Sequence, residues 1–314
     1  MSLSIAHLGP TGTYAEAAAL AYSQWLTQET GQQSILCSYP SIAQTLQAVA
    51  NQEAALGVVP IENSLEGSVT MTMDALWRLD NLQIQQSLIL PIAHALLSCA
   101  EDLTLIRTIY SHPQALAQCQ GWIDKFLPLA QLVPTNATTE ALQHLEEDKT
   151  AGAIASQRAA QLYNLPILAC PINDYLDNHT RFLIVGAGFA KELSVSNKGC
   201  LLNPPLQGGS YTSLAFSVPA NVPGALSRLL QIFASRNINL SRIESRPTKR
   251  SLGEYLFFID IEANSYDSVV ESALAELKLH TETLKIFGSY NVLPMHLKSQ
   301  DKSGKGNLNL ETFE

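Results

Sequence analysis

Four short segments of the sequence carry more small, polar and charged side chains than folding alone requires. In Gly9–Tyr14, glycines in a turn between a strand and a helix would let backbone N–H groups, such as those of Gly12 and Thr13, approach an anion. A plain turn followed by a helix cap accounts for this segment equally well. In Pro60–Val69, an amide, two hydroxyls and two carboxylates follow a buried strand, whereas a helix cap needs a single hydroxyl. This surplus indicates a binding site and includes Glu62, Asn63 and Ser64.

The third segment, Ser111–Leu116, follows another predicted strand and begins a helix. Pro113 suits the first turn of that helix, where its missing N–H has no partner to lose. His112 is explained more simply as a helix-cap residue or a solvated histidine than as a catalyst.

The fourth segment, Asp177–Phe182, leads into a predicted strand. It contains Arg181, one of the few cations near any of the four segments. A guanidinium can bind a carboxylate through two parallel hydrogen bonds, so Arg181 suits an anionic ligand. An ion pair with Asp177 or Glu62 is the alternative. A nucleophilic triad of Asp177, His179 and Thr180 is disfavoured, because neighbours on an extended strand point to opposite faces.

Alternating strands and helices are predicted through the first 187 residues, beginning with the strand Ser4–Leu8 and the alanine-rich helix Tyr14–Leu26. Further strands are predicted at Ile35–Tyr39, Ala55–Val59, Thr108–Tyr110, Gln131–Val133, Ala151–Ala155, Pro166–Ala169 and Arg181–Val185. This alternation predicts a mostly parallel, helix-covered α/β sheet arranged in two lobes. Ligands of such sheets bind outside the carboxyl ends of the strands, where the four segments lie.

The rest of the chain is predicted to form a second domain. Helical and strand periodicity fails across residues 188–211, which we interpret as a linker. Residues 212–290 follow the order strand, helix, strand, strand, helix, strand, and this βαββαβ order is typical of an α+β ferredoxin-like domain. Residues 291–314 are interpreted as a polar tail.

Composition and charge exclude several classes of function. With 28 acidic and 19 basic residues, the formal charge of −9 disfavours nucleic acid as a partner. The uncharged stretch Asn81–Ala100 is too polar to cross a membrane and is predicted to form strand pairs. The N-terminus lacks the pattern of a signal peptide, which predicts a cytoplasmic protein. The five cysteines and seven histidines show no metal-ligand spacing, so neither a metal nor another cofactor is expected.

Taken in order, four strings of the sequence resemble the prephenate dehydratase family: GPTGTY, PIENSLEGSV, SHPQALAQC and NDYLDNHTRF. Two further strings, PGALS at Pro223–Ser227 and ESRP at Glu244–Pro247, resemble the phenylalanine-binding motifs of the family's ACT regulatory domain. The similarity covers about residues 4–290. No chorismate-mutase segment precedes residue 4, so the resemblance implies a monofunctional enzyme of the microbial type.

The resemblance implies a two-lobed catalytic domain over residues 1–187 that is similar to periplasmic binding proteins. Its active site would lie in the cleft between the lobes. Lobe one would comprise about residues 1–79 and 168–187, and lobe two about residues 80–167. Residues 212–290 would form the ACT domain.

The implied reaction removes the ring carboxylate of prephenate as CO2 and its C4 hydroxyl as water, leaving phenylpyruvate. Thr180 is the implied proton donor, although His112 and His179 compete for this role because an imidazolium is the stronger acid. Arg181 is assigned to the pyruvyl carboxylate. Tight binding of the departing carboxylate would stabilise the ground state and slow the loss of CO2. Asn63 and Ser64 are expected to support Thr180. The expected substrate-binding residues are Gly12, Thr13, Glu62, His112, Gln114, Thr138, Asn178 and Phe182.

The second domain is expected, by the same resemblance, to bind L-phenylalanine as a feedback inhibitor. Backbone N–H groups at a helix start suit its carboxylate, and the Asn221 side-chain oxygen suits its ammonium group. Glu244 and Arg246 are explained equally well by pairing across strands or a subunit interface. Because an open sheet edge is protected by pairing, a homodimer or homotetramer is expected. The expected effector-binding residues are Asn221, Pro223, Gly224, Ala225, Leu226, Ser227, Glu244, Ser245, Arg246 and Pro247.

Two alternatives to this function remain open from the sequence. Arogenate dehydratase is the nearest, because its substrate differs only in bearing an amine in place of the pyruvyl ketone. A non-catalytic amino-acid sensor is the second, since a ligand-binding cleft does not require chemistry. The intact Thr180, Arg181 and Phe182 disfavour the sensor.

Overall fold

A computed structural model describes residues 2–135, 140–145, 148–188 and 209–295 of the chain. The strands are β1 (Leu3–Leu8), β2 (Ser34–Tyr39), β3 (Leu56–Asn63), β4 (Gly67–Ser68), β5 (Leu82–Pro91), β6 (His94–Leu97), β7 (Thr108–Ser111), β8 (Gln131–Pro134), β9 (Ala151–Ser156), β10 (Ile167–Ala169), β11 (His179–Ala187), β12 (Tyr211–Ser217), β13 (Leu240–Pro247), β14 (Tyr255–Ile261), β15 (Thr283–Tyr290) and β16 (Val292–Pro294). The helices are α1 (Tyr14–Thr30), α2 (Ile42–Ala50), α3 (Thr70–Arg78), α4 (Pro113–Ala117), α5 (Gln120–Phe126), α6 (Gln157–Tyr163), α7 (Ala225–Ala234) and α8 (Ser268–Leu279).

Side-chain caps begin the helices that follow β1 and β2. The Thr13 hydroxyl accepts a hydrogen bond from the Glu16 backbone N–H at the start of α1, and Gly31 ends that helix with a φ of 73°. Ser41 begins α2 in the same way, by accepting from the Gln44 N–H.

The first sheet has the strand order β16-β5-β11-β3-β1-β2, with the short β4 paired to β3. β1 runs parallel to β2 and β3, whereas β11 is antiparallel to both β3 and β5. The prediction of a mostly parallel sheet is therefore wrong around β11. The reason is topological: β5 leaves this sheet for the second lobe and β11 returns from it, so the two neighbours run in opposite directions.

The second sheet has the order β10-β6-β9-β7-β8 and forms the other lobe. The predicted lobe boundaries at residues 79 and 168 differ from this topology, because β5 belongs to the first sheet and β10 pairs with β6 in the second. The predicted strands within Asn81–Ala100 are confirmed as β5 and β6, but they lie in different sheets. The chain crosses between the lobes in the short connection that separates them.

The third sheet, β13-β14-β12-β15, is antiparallel throughout and carries α7 and α8 on one face. Phe216, Phe233 and Leu277 lie in the core between this sheet and its helices. The predicted ferredoxin-like order is confirmed, and with it the two-part fold class. β16, which falls in the predicted polar tail, instead pairs in parallel with β5.

The open face of the third sheet packs against the first sheet. Phe258, Phe287 and Tyr290 from the third sheet share one buried cluster with Leu183 and Val185 of β11. Most of the predicted linker lies outside the described residues. Within the described ranges, none of the helices has the length and apolar character needed to span a membrane.

Candidate active site

The antiparallel pairing of β3 and β11 places Asn63 directly opposite Thr180. The Asn63 side-chain oxygen accepts hydrogen bonds from the backbone N–H groups of Leu65 and Glu66, each at 3.0 Å. The Asn63 amide nitrogen therefore faces the other way, and it donates to Thr180 Oγ1 at 2.9 Å and to Asn178 Oδ1 at 2.8 Å. Because Thr180 Oγ1 accepts from Asn63, its own hydroxyl proton remains available for donation.

A chain of buried amides extends from this pair into the second lobe. The Asn178 amide nitrogen donates to Gln118 Oε1 at 3.1 Å, and the Gln118 amide nitrogen donates to Glu66 Oε1 at 3.0 Å. Since a carboxylate only accepts, the second bond determines which way the Gln118 amide points. Asn178 is fully buried and Gln118 nearly so. Lobe one and lobe two are thus joined next to the Thr180 hydroxyl.

His94, at the start of β6, completes the network. Its Nε2 lies 3.0 Å from Gln118 Oε1, which can only accept, so Nε2 carries the proton. The Tyr14 hydroxyl lies 3.1 Å from Nδ1 and 2.9 Å from the Ala93 carbonyl oxygen, so its single proton faces two acceptors. Burial lowers the pKa of His94 below its ordinary value of 6.5, although the bond to Gln118 acts in the opposite direction. His94 is therefore a neutral, structural member of the site.

The predicted anion-binding turn lies where the two lobes meet, at the start of α1. Gly12 adopts a φ of 84°, and its N–H donates to the Glu16 carboxylate. The same carboxylate pairs with Arg158 of the second lobe at 3.0 Å, and the Ser156 hydroxyl donates to the Gly12 carbonyl at 2.6 Å. The Gly12 N–H predicted to face a ligand is thus bonded to the protein's own carboxylate, while Thr13 acts as the helix cap.

Of the remaining predicted substrate-site residues, some lie beside the hydrogen-bond network around Thr180 and others do not contact it. Ser64 accepts from the His179 backbone N–H at 2.9 Å and lies 3.4 Å from Asn178 Oδ1, beside the network. His112 caps α4 by accepting a hydrogen bond from the Gln114 N–H, which agrees with its interpretation as a helix-cap residue. Neither His112 nor Gln114 has a hydrogen bond to the network around Thr180. Thr138 lies outside the described residues.

Arg181 points away from Thr180, towards the C-terminal domain. Its guanidinium lies 2.6 Å from the Asp260 carboxylate and 3.2 Å from that of Glu62. The ion pair with Glu62 that was considered as an alternative is present. The assignment of Arg181 to a substrate carboxylate disagrees with this geometry, because successive residues of a strand face opposite sides of the sheet. Phe182, on the same side as Thr180, is buried against α1 in the core.

The predicted effector segment lies at the start of α7. Gly224 precedes the helix with a φ of 79°, and α7 begins at Ala225. The Asn221 amide donates to the Gly253 carbonyl at 3.1 Å. A cavity of about 210 Å³ lies beside these loops and is lined in part by Asn221 and Gly253.

The second predicted effector segment contacts the catalytic unit. Glu244 accepts from the Ser68 hydroxyl at 3.0 Å, and Arg246 lies 3.3 Å from the Asp74 carboxylate. These side chains of β13 therefore pair with lobe one of the same chain. That differs from both of the explanations considered, ligand contact and pairing across strands or subunits.

Several residues of the network were not predicted. Tyr14, Glu66 and Gln118 lie within the strings that carried the family resemblance, so their position in those strings was an available signal. His94 lies in an uncharged stretch whose only signal was a histidine among strand-forming residues. Nothing in the sequence indicated that Asp260 contacts Arg181, because the two residues lie in different domains.

A two-lobed α/β unit with a buried polar network at the lobe junction, followed by a ferredoxin-like domain, defines a two-domain protein with a candidate active site between its lobes. Residues 5–189 match the sequence profile of the prephenate dehydratase family and residues 212–277 match that of the ACT domain. The chain belongs to the prephenate dehydratase family, and it is accordingly an enzyme of the hydro-lyase class.

Comparison with individual relatives agrees with this family assignment. The chain is 38% identical to a bifunctional chorismate mutase/prephenate dehydratase of Aquifex aeolicus, across 92% of this chain and 73% of the relative. It is 38% identical to a prephenate dehydratase of Methanocaldococcus jannaschii, across 93% of this chain and 99% of the relative. A crystal structure of prephenate dehydratase in complex with L-Phe, from Arthrobacter aurescens, superposes with a TM-score of 0.78 at 35% identity and covers 92% of this chain and 90% of that one.

Proposed function

We propose that this enzyme converts prephenate to phenylpyruvate, CO2 and water. The observation that carries the proposal is the hydrogen bond from the Asn63 amide to Thr180 Oγ1, which leaves the threonine proton available to a leaving group. Hydroxide is a poor leaving group, so the C4 oxygen of prephenate must receive a proton as it departs. Membership of the family supports the same reaction.

The electron pair of the breaking bond to CO2 enters the ring and expels the C4 oxygen, which takes the Thr180 proton and leaves as water. Thr180 then regains a proton from solvent, so one proton is consumed per turnover. The Asn63 N–H stabilises negative charge that gathers on Thr180 Oγ1 as its proton leaves. Aromatisation of the ring supplies the driving force.

Asn178, Gln118 and His94 would act through Asn63, by holding its amide nitrogen towards Thr180. We place the pyruvyl carboxylate at the N-terminus of α1, because the positive end of the helix dipole and free N–H groups favour an anion there. The Gly12 N–H bonds the Glu16 carboxylate, so a substrate carboxylate bound to this N–H would take the place of Glu16. The hydroxyls of Ser64 and Thr138 would complete the site.

L-phenylalanine is the proposed inhibitor, acting through the C-terminal domain at the loop that contains Asn221 and Gly224. The L-Phe complex of the Arthrobacter aurescens relative supports this proposal. Inhibition requires that phenylalanine bind one conformational or oligomeric state more tightly than another. β13 lies at a sheet edge with Ile243 exposed, which supports pairing into a homodimer or homotetramer. We expect the enzyme to act in the cytoplasm.

The proposal is tested by measuring the turnover of prephenate and of arogenate by the purified full chain, each with and without L-phenylalanine. Formation of phenylpyruvate from prephenate, suppressed by phenylalanine, is the expected result. Turnover of arogenate alone would retain the mechanism and change the substrate. Binding of phenylalanine without turnover of either substrate would refute the enzymatic proposal in favour of a sensor.

A further inference from the structure

Asp260 is a fully buried carboxylate on the open face of the C-terminal sheet. Within its own domain, Arg242 Nε donates to it at 2.9 Å and the Ser213 hydroxyl donates to its other oxygen. From the catalytic unit, the Arg181 guanidinium donates at 2.6 Å. Burial acts to raise the pKa of Asp260, but Arg242 and Arg181 outweigh it and hold the pKa below its ordinary value. The carboxylate is therefore a buried anion shared by two domains.

Arg181 is the immediate neighbour of Thr180 on β11. The pairing of β11 with β3 is irregular at this point, because the register shifts between Arg181 and Phe182. Phe182 lies opposite Pro60, which has no N–H to contribute to the ladder. On that side the ladder is interrupted next to Arg181, whereas on the other side β11 pairs with β5 without a register shift from His179 to Ile184. The Arg181 side chain supplies a second anchor for the segment of β11 that carries Thr180.

Other polar contacts between the domains reach different elements. Arg246 and Lys249 pair with Asp74 of α3, and the Lys285 ammonium bonds to the carbonyls at the end of that helix. Glu244 bonds to Ser68 of β4. Among the polar contacts that the structure describes between the domains, the bond from Arg181 to Asp260 is the one that reaches β11, the strand bearing the proposed acid. Leu183 and Val185, further along β11, make apolar contacts with the C-terminal sheet.

We propose that Asp260 is a positioning residue for the reaction: by holding Arg181, it keeps β11 where Thr180 meets Asn63. Arg181 then acts through the backbone of its own strand. This inference rests on the proposed role of Thr180. It also gives the C-terminal domain a direct route to the active site, because a shift of β14 moves Asp260 and, through Arg181, the residue next to Thr180.

The test is Asp260→Asn in the full chain, which keeps the shape of the side chain and removes its charge. We expect kcat for prephenate to fall at least tenfold while KM changes less than twofold, because the proton donor is displaced and substrate contacts are kept. Amide hydrogen exchange in the peptide spanning residues 179–183 is expected to accelerate. Asp74→Asn is the matched control: it also breaks ion pairs between the domains, but these reach α3, so kcat and exchange in that peptide should remain as in the wild type.

The double variant Arg181→Gln with Asp260→Asn leaves one buried arginine, Arg242, without its carboxylate, where the single variant leaves two. It therefore keeps the test available if the single variant fails to fold. Positioning predicts that its kcat equals that of a folded single variant and that its KM stays near the wild-type value. A large rise in KM would mean that Arg181 binds substrate, and would overturn the inference. So would unchanged kcat and unchanged hydrogen exchange. If the wild-type chain does not turn over prephenate, the proposed function fails, and hydrogen exchange in these variants alone decides the role of Asp260.

Discussion

The role of Thr180 as proton donor is tested most directly by Thr180→Val, which keeps the branched shape of the buried side chain and removes its hydroxyl. A positioned general acid contributes about 10²–10⁴ in rate. At 1.36 kcal/mol per factor of ten, its loss raises the barrier by about 3–5 kcal/mol. We therefore expect kcat to fall by about 10²–10⁴ while KM changes little, since the lost interaction belongs mainly to the transition state.

The effect of Thr180→Val on folding should be much smaller. The Asn63 amide loses one acceptor but keeps Asn178 Oδ1 at 2.8 Å and the His179 carbonyl at 3.2 Å. The expected loss in the free energy of unfolding is about 1 kcal/mol, the value of one hydrogen bond. A loss of catalysis several kcal/mol larger than the loss of stability therefore separates chemistry from packing.

The assay follows phenylpyruvate formation over a range of prephenate concentrations, alongside thermal unfolding of each variant. Thr180→Ser is the matched control, because it retains the hydroxyl, and it should keep kcat within about tenfold of the wild type. If Thr180→Val keeps kcat within about threefold of the wild type, the proton comes from another group. A pH–rate profile with a limb near the ordinary histidine pKa of about 6.5 would then point to His112 or His179.

Three further predictions follow from buried and strained positions. Because burial lowers the pKa of His94, the unfolded chain binds a proton that the folded chain does not once the pH falls below 6.5. The melting temperature should therefore fall more steeply between about pH 7 and pH 5 in the wild type than in His94→Asn. A Cβ at Gly288 would lie 2.6 Å from the Ile84 carbonyl, whereas one at Gly253 meets nothing within 4 Å, although both residues have positive φ. Gly288→Ala should thus lower the free energy of unfolding in urea by about 1–3 kcal/mol more than Gly253→Ala does, and equal losses would contradict the clash. Gly224→Val, at a φ of 79°, should abolish inhibition by L-phenylalanine and leave kcat nearly intact, and inhibition that survives would place the effector elsewhere.

Local signals in the sequence were enough to predict most elements of the fold, but not the topology between the lobes. The start of α1 at Tyr14 and the order of the C-terminal domain follow from caps, turns and periodicity, which are properties of neighbouring residues. The assignment of β5 to lobe two was wrong because the uncharged stretch from Leu82 to Leu97 contributes strands to both sheets. Where such a stretch crosses between lobes depends on which strands it meets, and no local pattern records that. β16 pairs with the edge of β5, about 200 residues away in sequence, and no local pattern predicts such a partner.

The same distinction between local signals and contacts of distant elements applies to the candidate site. Asn63 and Thr180 could be predicted because each lies in a polar segment at a strand end, where local sequence and position in the sheet coincide. The direction of the Arg181 side chain could not be predicted. Alternation along β11 indicates that it points to the opposite face of the sheet from Thr180, but not which element packs on that face. The answer depends on the C-terminal sheet, which brings the buried Asp260 against lobe one. An arginine next to a proposed acid is therefore ambiguous in sequence, because it can face the cleft and bind substrate or face the C-terminal domain and anchor its own strand. In this structure the guanidinium faces the C-terminal domain, so substitution of Arg181 should alter kcat more than KM.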